Sequence, residues 1–101
     1  MRRGEVWRYQ PVAERPGQSN LRLIVSANAV NDVPELPIVL AVHVVDTDPD
    51  SMLAVRVGTH GWARVLSVEP VLRRRLVQRV GVADADTMES VDAALRAAQD
   101  L

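Results

Sequence analysis

The chain is 101 residues long, with 48% apolar residues, 25% charged residues and a formal net charge of −1. This size and composition suit one small folded domain, residues 1–101, and they exclude a disordered chain and a strongly basic nucleic-acid binder. The chain has no cysteine, which excludes disulfides and thiolate metal sites. It opens MRRGEVW, without an apolar signal core or membrane anchor, so we expect a cytoplasmic protein.

Short apolar runs between turn-forming residues predict a chain that is mainly β in its first two thirds. The predicted strands are Glu5–Gln10, Leu21–Ser26, Leu36–Val45, Met52–Val57 and Trp62–Leu66. Residues 11–20 are rich in turn formers and predict a loop, and Ala27–Asp32 predicts a short helical turn. The run Leu36–Val45, LPIVLAVHVV, is the longest apolar stretch and predicts a central strand buried on both faces.

The last third of the sequence predicts the helical part of the fold. Pro70 opens a short helical turn, and Asp84–Leu101 forms the one long helix, which starts with a capping-box-like pair of Asp86 and Glu89. Its apolar stripe is Met88, Val91, Leu95 and Ala98. This order predicts an α+β fold, mainly β: a small, strongly curved antiparallel sheet or partial barrel closed by a C-terminal helix.

His43 is the only polar side chain in the central apolar run. A histidine with an ordinary pKa near ~6.5 can serve as a general acid or base. The alternative is a partly buried histidine hydrogen-bonded to a neighbouring strand or to a carboxylate. His43, His60 and the acidic loop at residues 46–50 match no familiar spacing of metal ligands, so we expect neither a metal nor a cofactor.

Four pieces of sequence, in order along nearly the whole chain, carry a family resemblance. They are the opening RRGEVW, a strand ending VSANAVN, the segment RLVQRVG and a helix beginning ADADTMESVDAAL. In these pieces the chain resembles the MazF/PemK-like toxins of bacterial type II toxin–antitoxin systems. The resemblance implies an SH3-like barrel, a homodimer and metal-independent cleavage of single-stranded RNA. It also implies a cognate antitoxin whose tail lies in the RNA groove, and no membrane association.

The chain departs from the family pattern at the positions that carry its chemistry. Asn20-Leu21 stands where family members usually have Arg-Pro, whose arginine stabilises the phosphate. His43, within Ala41–Val44, stands where a Pro-x-Thr-Ser pattern supplies a threonine that takes part in the chemistry. Ser67–Pro70 replaces a Gln-Ile-Arg-Ser/Thr segment.

Arg22 and His43 are the expected catalytic residues. Metal-free RNA cleavage requires that the 2′-hydroxyl lose a proton, that the phosphorane charge be neutralised, and that the leaving 5′-oxygen gain a proton. Arg22 lies two residues after Asn20 on the same strand face, so we expect it to replace the missing arginine; the alternative is a surface ion pair. We expect RNA contacts from Arg3, Arg8, Arg15 and Asn20.

The altered motifs leave a second function open, a non-catalytic protein on the same scaffold. It would be a gyrase-directed poison, as in the CcdB branch, or a degenerate module that only binds an antitoxin. The chain end Ala98–Leu101 has no aromatic residue, unlike the gyrase-directed branch. The run Arg73–Arg75 is the densest basic segment, and its three successive positions cannot share one helix face, so its role stays open.

Overall fold

The computed structural model describes residues 1–13, 19–51 and 53–100. Its strands are β1 (Glu5–Tyr9), β2 (Leu21–Ile24), β3 (Ile38–Val45), β4 (Ala54–Val57), β5 (Gly61–Leu72) and β6 (Leu76–Val82). Its helices are α1 (Asn28–Asn31) and α2 (Ala85–Gln99), and a 3₁₀ turn covers Arg73–Arg75. The strands form one antiparallel sheet in the order β4-β5-β3-β2-β1-β6. The predicted curved sheet with a C-terminal helix is confirmed.

Both faces of the sheet bury apolar side chains. On one face α2 covers a cluster that includes Leu23, Val42 and Val91. On the other face a smaller cluster around Ile24 and Val39 packs against Trp7 and Tyr9. Because the sheet is buried on both sides at β2, Arg22 lies in the second face with only 4% of its surface exposed.

The central strand β3 is buried on both faces only in its second half, so the prediction for it is wrong at its start. The strand begins at Ile38 rather than Leu36, and the side chains of Ile38 and Leu40 are 41% and 42% exposed. Their cross-strand partners are Leu72 and Pro70 of β5. The helix α2 packs against β4 and β5, and β4 pairs with residues 61–64 of β5, so no layer built from the described residues covers this corner of the sheet.

The predicted helical turn at Pro70 is also wrong, because β5 continues through Pro70 to Leu72. Beyond Val65, whose N–H donates to the Leu53 carbonyl, β5 has a neighbour on one side only within the described residues. Proline lacks a backbone N–H and is tolerated on such an edge. The chain turns at the 3₁₀ segment and returns as β6, which pairs with β1 at the opposite side of the sheet.

The C-terminal helix forms as predicted, but its N-cap is two residues earlier than the pair Asp86 and Glu89 suggests. The Asp84 carboxylate accepts a hydrogen bond of 2.7 Å from the Thr87 backbone N–H. Val91 and Ala94 are the buried positions of α2, and Ala98 is exposed. Within the described ranges, neither helix has the length and apolarity needed to cross a membrane.

Candidate active site

Arg22, His43 and Glu69 lie on the face of the sheet opposite α2. Arg22 of β2 is directly opposite Trp7 of β1 and His43 of β3. Glu69 of β5 is opposite Ala41, two residues before His43 on the same face. Tyr9 of β1 adjoins them, and together these strands form the floor of an open cleft. The cleft has a volume of about 440 Å³ and is lined by Tyr9, Pro11, Val12, Ala13, Arg22, His43 and Glu69.

A bulge in β5 brings Glu69 to His43. The pairing of β3 with β5 shifts between Ala41, opposite Glu69, and His43, opposite Arg64. At the shift the Ser67 hydroxyl accepts the His43 backbone N–H at 2.8 Å and donates to the Arg64 carbonyl at 2.6 Å. The extra residues of the bulge interrupt the backbone hydrogen bonds between β3 and β5, and the Ser67 hydroxyl replaces them. Glu69 Oε1 consequently lies 2.9 Å from His43 Nε2.

Arg22 is held from three directions. Its Nη1 donates to the backbone carbonyls of Ser19 at 2.8 Å and Leu21 at 2.9 Å. Its guanidinium carbon lies 4.4 Å from the centre of the Tyr9 ring, a cation–π contact. Its Nε is 3.7 Å from Glu69 Oε1, and among the described residues this buried nitrogen has no hydrogen-bond acceptor. Arg22 itself lines the cleft, so its positive charge lies beside the open space.

The electrostatics of the cleft favour a neutral His43 beside a charged Arg22. Burial, and next the positive charge of Arg22, lower the pKa of His43. These effects outweigh the hydrogen bond that His43 donates to Glu69, which raises that pKa. Burial also lowers the pKa of Arg22, against the stabilising charge of Glu69. An arginine nevertheless stays protonated. At neutral pH the cleft thus holds a guanidinium, a carboxylate and an imidazole that can accept a proton.

The structure brings the two predicted catalytic residues together, with Glu69 Oε1 between them. The alternative suggested for His43, a hydrogen bond to a carboxylate, is also present. The two readings are compatible, because a carboxylate that holds an imidazole in place is a common part of acid–base sites.

The predicted RNA-binding residues are more scattered. Arg3 forms an ion pair with Asp92 of α2 and donates from Nε to the Val25 carbonyl at 3.1 Å. Arg8 of β1 pairs with Leu21 of β2, so its side chain lies on the face of the sheet that α2 covers. Arg22 lies on the other face. Arg15 lies outside the described residues.

Asn20 lies just before β2 and lines a second cavity of about 360 Å³ rather than the Arg22 cleft. The same cavity is bordered by Leu21, Asp46 and His60. A contact between Asn20 and RNA stays a prediction.

The basic run 73–75 has a structural role at its first position. The Arg73 guanidinium donates to four backbone carbonyls at the end of α1 and in the segment that follows it. The acceptors are Val30, Asn31, Val33 and Leu36, at 2.6–3.0 Å. Arg73 therefore fixes the approach to β3 rather than presenting its charge to a ligand.

Sequence reasoning missed two residues of the cleft, Tyr9 and Glu69. Tyr9 ends β1 at the register of the site, and the strand pattern alone gives no reason to place its ring over Arg22. Glu69 falls in a segment that the Pro70 signal assigns to a turn. In the sequence, the only sign of Glu69 is that an acidic residue stands in the segment Ser67–Pro70. Its contact with His43 depends on the bulge, which the sequence does not predict.

A sequence model of the PemK-like, MazF-like toxins of type II toxin–antitoxin systems matches residues 2–98. The six-stranded sheet, its C-terminal helix and the polar cleft fit this class of small toxin domain, and the chain belongs to this family. A search of curated protein sequences returns no match to the chain.

Solved structures of similar fold cover the whole chain. An endoribonuclease from a mycobacterial species has a TM-score of 0.82 and 27% identity, covering 100% of this chain and 92% of its own. A mycobacterial endoribonuclease in complex with its cognate antitoxin has a TM-score of 0.85 and 26% identity, covering 100% and 96%. MazF from Deinococcus radiodurans has a TM-score of 0.79 and 17% identity, covering 100% and 97%, which shows likeness of fold.

Proposed function

We propose that this chain is an endoribonuclease toxin that cleaves single-stranded RNA without a metal, with Arg22 and His43 as its catalytic residues. One observation carries the proposal. In a chain of this toxin family, a buried guanidinium and an imidazole face one open cleft, and both lie within 4 Å of the same carboxylate oxygen. The two mycobacterial neighbours, at 26–27% identity, are endoribonucleases, which supports the same activity here.

The residues of the cleft match the requirements of the reaction. Attack of the 2′-oxygen on the adjacent phosphorus forms a 2′,3′-cyclic phosphate and releases the 5′-oxygen. Arg22 would hold the phosphate and neutralise the charge that develops on it, and its desolvation strengthens that interaction. His43 would move the proton. A carboxylate, a guanidinium and an imidazole require no metal for these roles.

The partners follow from the same proposal. One mycobacterial neighbour is bound to its cognate antitoxin, and we expect this chain to bind a cognate antitoxin whose tail covers the RNA cleft. We also expect a homodimer, which the exposed apolar side chains of Ile38, Leu40 and Val68 support as a surface for a second copy. Because its substrate would be cellular RNA, the toxin would act in the cytoplasm.

The experiment is cleavage of a long unstructured RNA in EDTA, with product ends analysed by mass spectrometry. Purified wild type is compared with Arg22→Lys, His43→Gln and the matched control Arg96→Ala, which removes an exposed arginine of α2. We expect 2′,3′-cyclic phosphate ends from wild type and Arg96→Ala. We expect cleavage to fall about 10²-fold or more in the other two variants. Circular dichroism reports whether each variant is folded.

Wild-type protein that leaves every RNA intact, while still binding its antitoxin, would contradict the proposal. That outcome would favour the non-catalytic module. Cleavage that survives in both Arg22→Lys and His43→Gln would keep the activity and refute these two residues as its source.

A further inference from the structure

We propose that Glu69 is a positioning residue of the active site, which makes His43 the general base by holding its Nε2–H and leaving Nδ1 free to take the 2′-hydroxyl proton. The inference rests on the proposed function and deepens it. It adds a residue for which the family motifs provide no role, and it assigns the direction in which His43 moves a proton.

Glu69 Oε1 and His43 Nε2 are 2.9 Å apart, a direct hydrogen bond between side chains that are 44% and 22% exposed. In phosphoryl transfer the attacking and leaving oxygens lie roughly in line, on opposite sides of phosphorus. Two groups bonded to each other therefore serve the same side of the phosphate. Glu69 and His43 act as one unit, and they are not a separate base and acid.

The position of the ring proton of His43 decides which side of the phosphate the unit serves. An ionised carboxylate only accepts hydrogen bonds, so the bond to Glu69 fixes the proton of the neutral ring on Nε2. Among the described residues, Glu69 is the only side chain that bonds to the ring. Nδ1 is then an unprotonated acceptor, as a base requires. The imidazolium that forms after proton transfer lies against the carboxylate, which stabilises it.

Charged groups on two neighbouring strands set the basicity of His43. The groups that face His43 are Arg22 from β2, Arg64 and Glu69 from β5, and the Tyr9 ring from β1 sits over Arg22. Burial and the two arginines lower the pKa of His43, whereas Glu69 raises it. Without Glu69 the pKa of His43 would fall further and the ring would be a weaker base. With Glu69 part of that lowering is offset, while the ring stays neutral near pH 7.

The step balances without a further cofactor. The 2′-oxygen gives its proton to His43 Nδ1 and bonds to phosphorus, and the bond from phosphorus to the 5′-oxygen breaks. Water in the open cleft protonates the 5′-oxygen, and the imidazolium returns its proton to solvent. Arg22 neutralises the phosphorane, and its contact with Glu69 at 3.7 Å is long enough to be exchanged for one with phosphate.

The test variant is Glu69→Gln, which keeps the size of the side chain and removes its charge. The control is Glu89→Gln, the same change on the exposed surface of α2. RNA cleavage is followed from pH 4.5 to 8.5 in EDTA, and the ring nitrogens of His43 are followed by NMR without RNA. We expect Glu69→Gln to lower kcat about 10²-fold with little change in KM, and to move the acidic limb of the pH–rate profile to lower pH. In NMR we expect Nε2 protonated in wild type and a lower pKa of His43 in the variant.

The results separate the possible failures. If wild type does not cleave RNA, the proposed function falls, and the catalytic role of Glu69 falls with it. If wild type cleaves and Glu69→Gln keeps both kcat and the acidic limb, only the role of Glu69 is refuted. If Glu69→Gln cleaves faster and binds RNA more tightly, Glu69 is an electrostatic obstacle at the phosphate site and the inference is wrong. If NMR places the ring proton on Nδ1 in wild type, the base assignment is wrong.

Discussion

Gly61 begins the strand that carries Glu69, and replacing it with alanine tests the register of that strand. Its φ is +126°, a conformation that residues with a side chain rarely adopt. A Cβ placed there would lie 2.1 Å from the backbone carbonyl oxygen of Val45 and 2.9 Å from its carbonyl carbon. The obstacle is the backbone of β3, which cannot rotate away as a side chain would. The glycine therefore permits β5 to approach β3 at the point where their pairing begins.

Two costs add in Gly61→Ala. A residue with a side chain held in a sparsely populated backbone conformation costs about 1–3 kcal/mol, and forcing an extra methyl group into a packed site costs about 1–3 kcal/mol more. We expect a loss of about 2–6 kcal/mol from the free energy of unfolding. Gly58→Ala is the matched control in the same turn. Its φ of +51° is left-handed, but no atom lies within 4 Å of the new Cβ, so we expect a loss of only about 1–2 kcal/mol.

Urea unfolding at pH 7, followed by far-UV circular dichroism, measures both variants against wild type. Small domains have an unfolding free energy of about 5–15 kcal/mol in total. Gly61→Ala should therefore unfold at a much lower urea concentration than wild type, or be unfolded without urea. The two alanine variants should differ by at least ~1 kcal/mol. If their unfolding free energies agree more closely than that, β5 does not approach β3 as described. The bulge would then not explain why Glu69 lies beside His43.

Three further predictions concern the frame around the site. Glu5 is 6% exposed, and burial raises its pKa, but hydrogen bonds from its neighbours outweigh burial and lower the pKa overall. The ionised Glu5 therefore stabilises the fold above its unfolded-state pKa, and this stabilisation is lost as pH falls through its folded-state pKa. Glu5→Gln should flatten the loss of unfolding free energy below about pH 4.5, and an unchanged acid profile would contradict this. Arg73→Ala should lower the unfolding free energy by about 1–3 kcal/mol, because four carbonyls lose their donor. Backbone hydrogen exchange should become faster at residues 30–36, and unchanged exchange there would refute the structural role of Arg73. Asp84→Ala should cost about 1 kcal/mol, measured in urea against Asp86→Ala, which should cost less.

Local chemistry determined the first strands, the C-terminal helix and two residues of the site. Alternation in β1 and β2, the apolar run of β3 and the helical spacing of α2 are properties of short segments, and short-range preferences decide them. The same alternation places Arg22 on one face of β2, and the isolation of His43 in an apolar run marks it without reference to any partner.

Only the tertiary structure decided the course of β5 and the completeness of the site. Pro70 is a turn signal in isolation, but it is accommodated on an edge that exists only because β4 is short. Ile38 and Leu40 satisfy the pattern of a buried strand, yet they are exposed because, in the part of the chain that the structure describes, no layer covers that corner. The bond between His43 and Glu69 joins residues 26 positions apart through a bulge closed by Ser67. A one-residue slip in that register would turn Glu69 to the other face, so the pairing of strands, which no local segment encodes, decides whether His43 has its carboxylate.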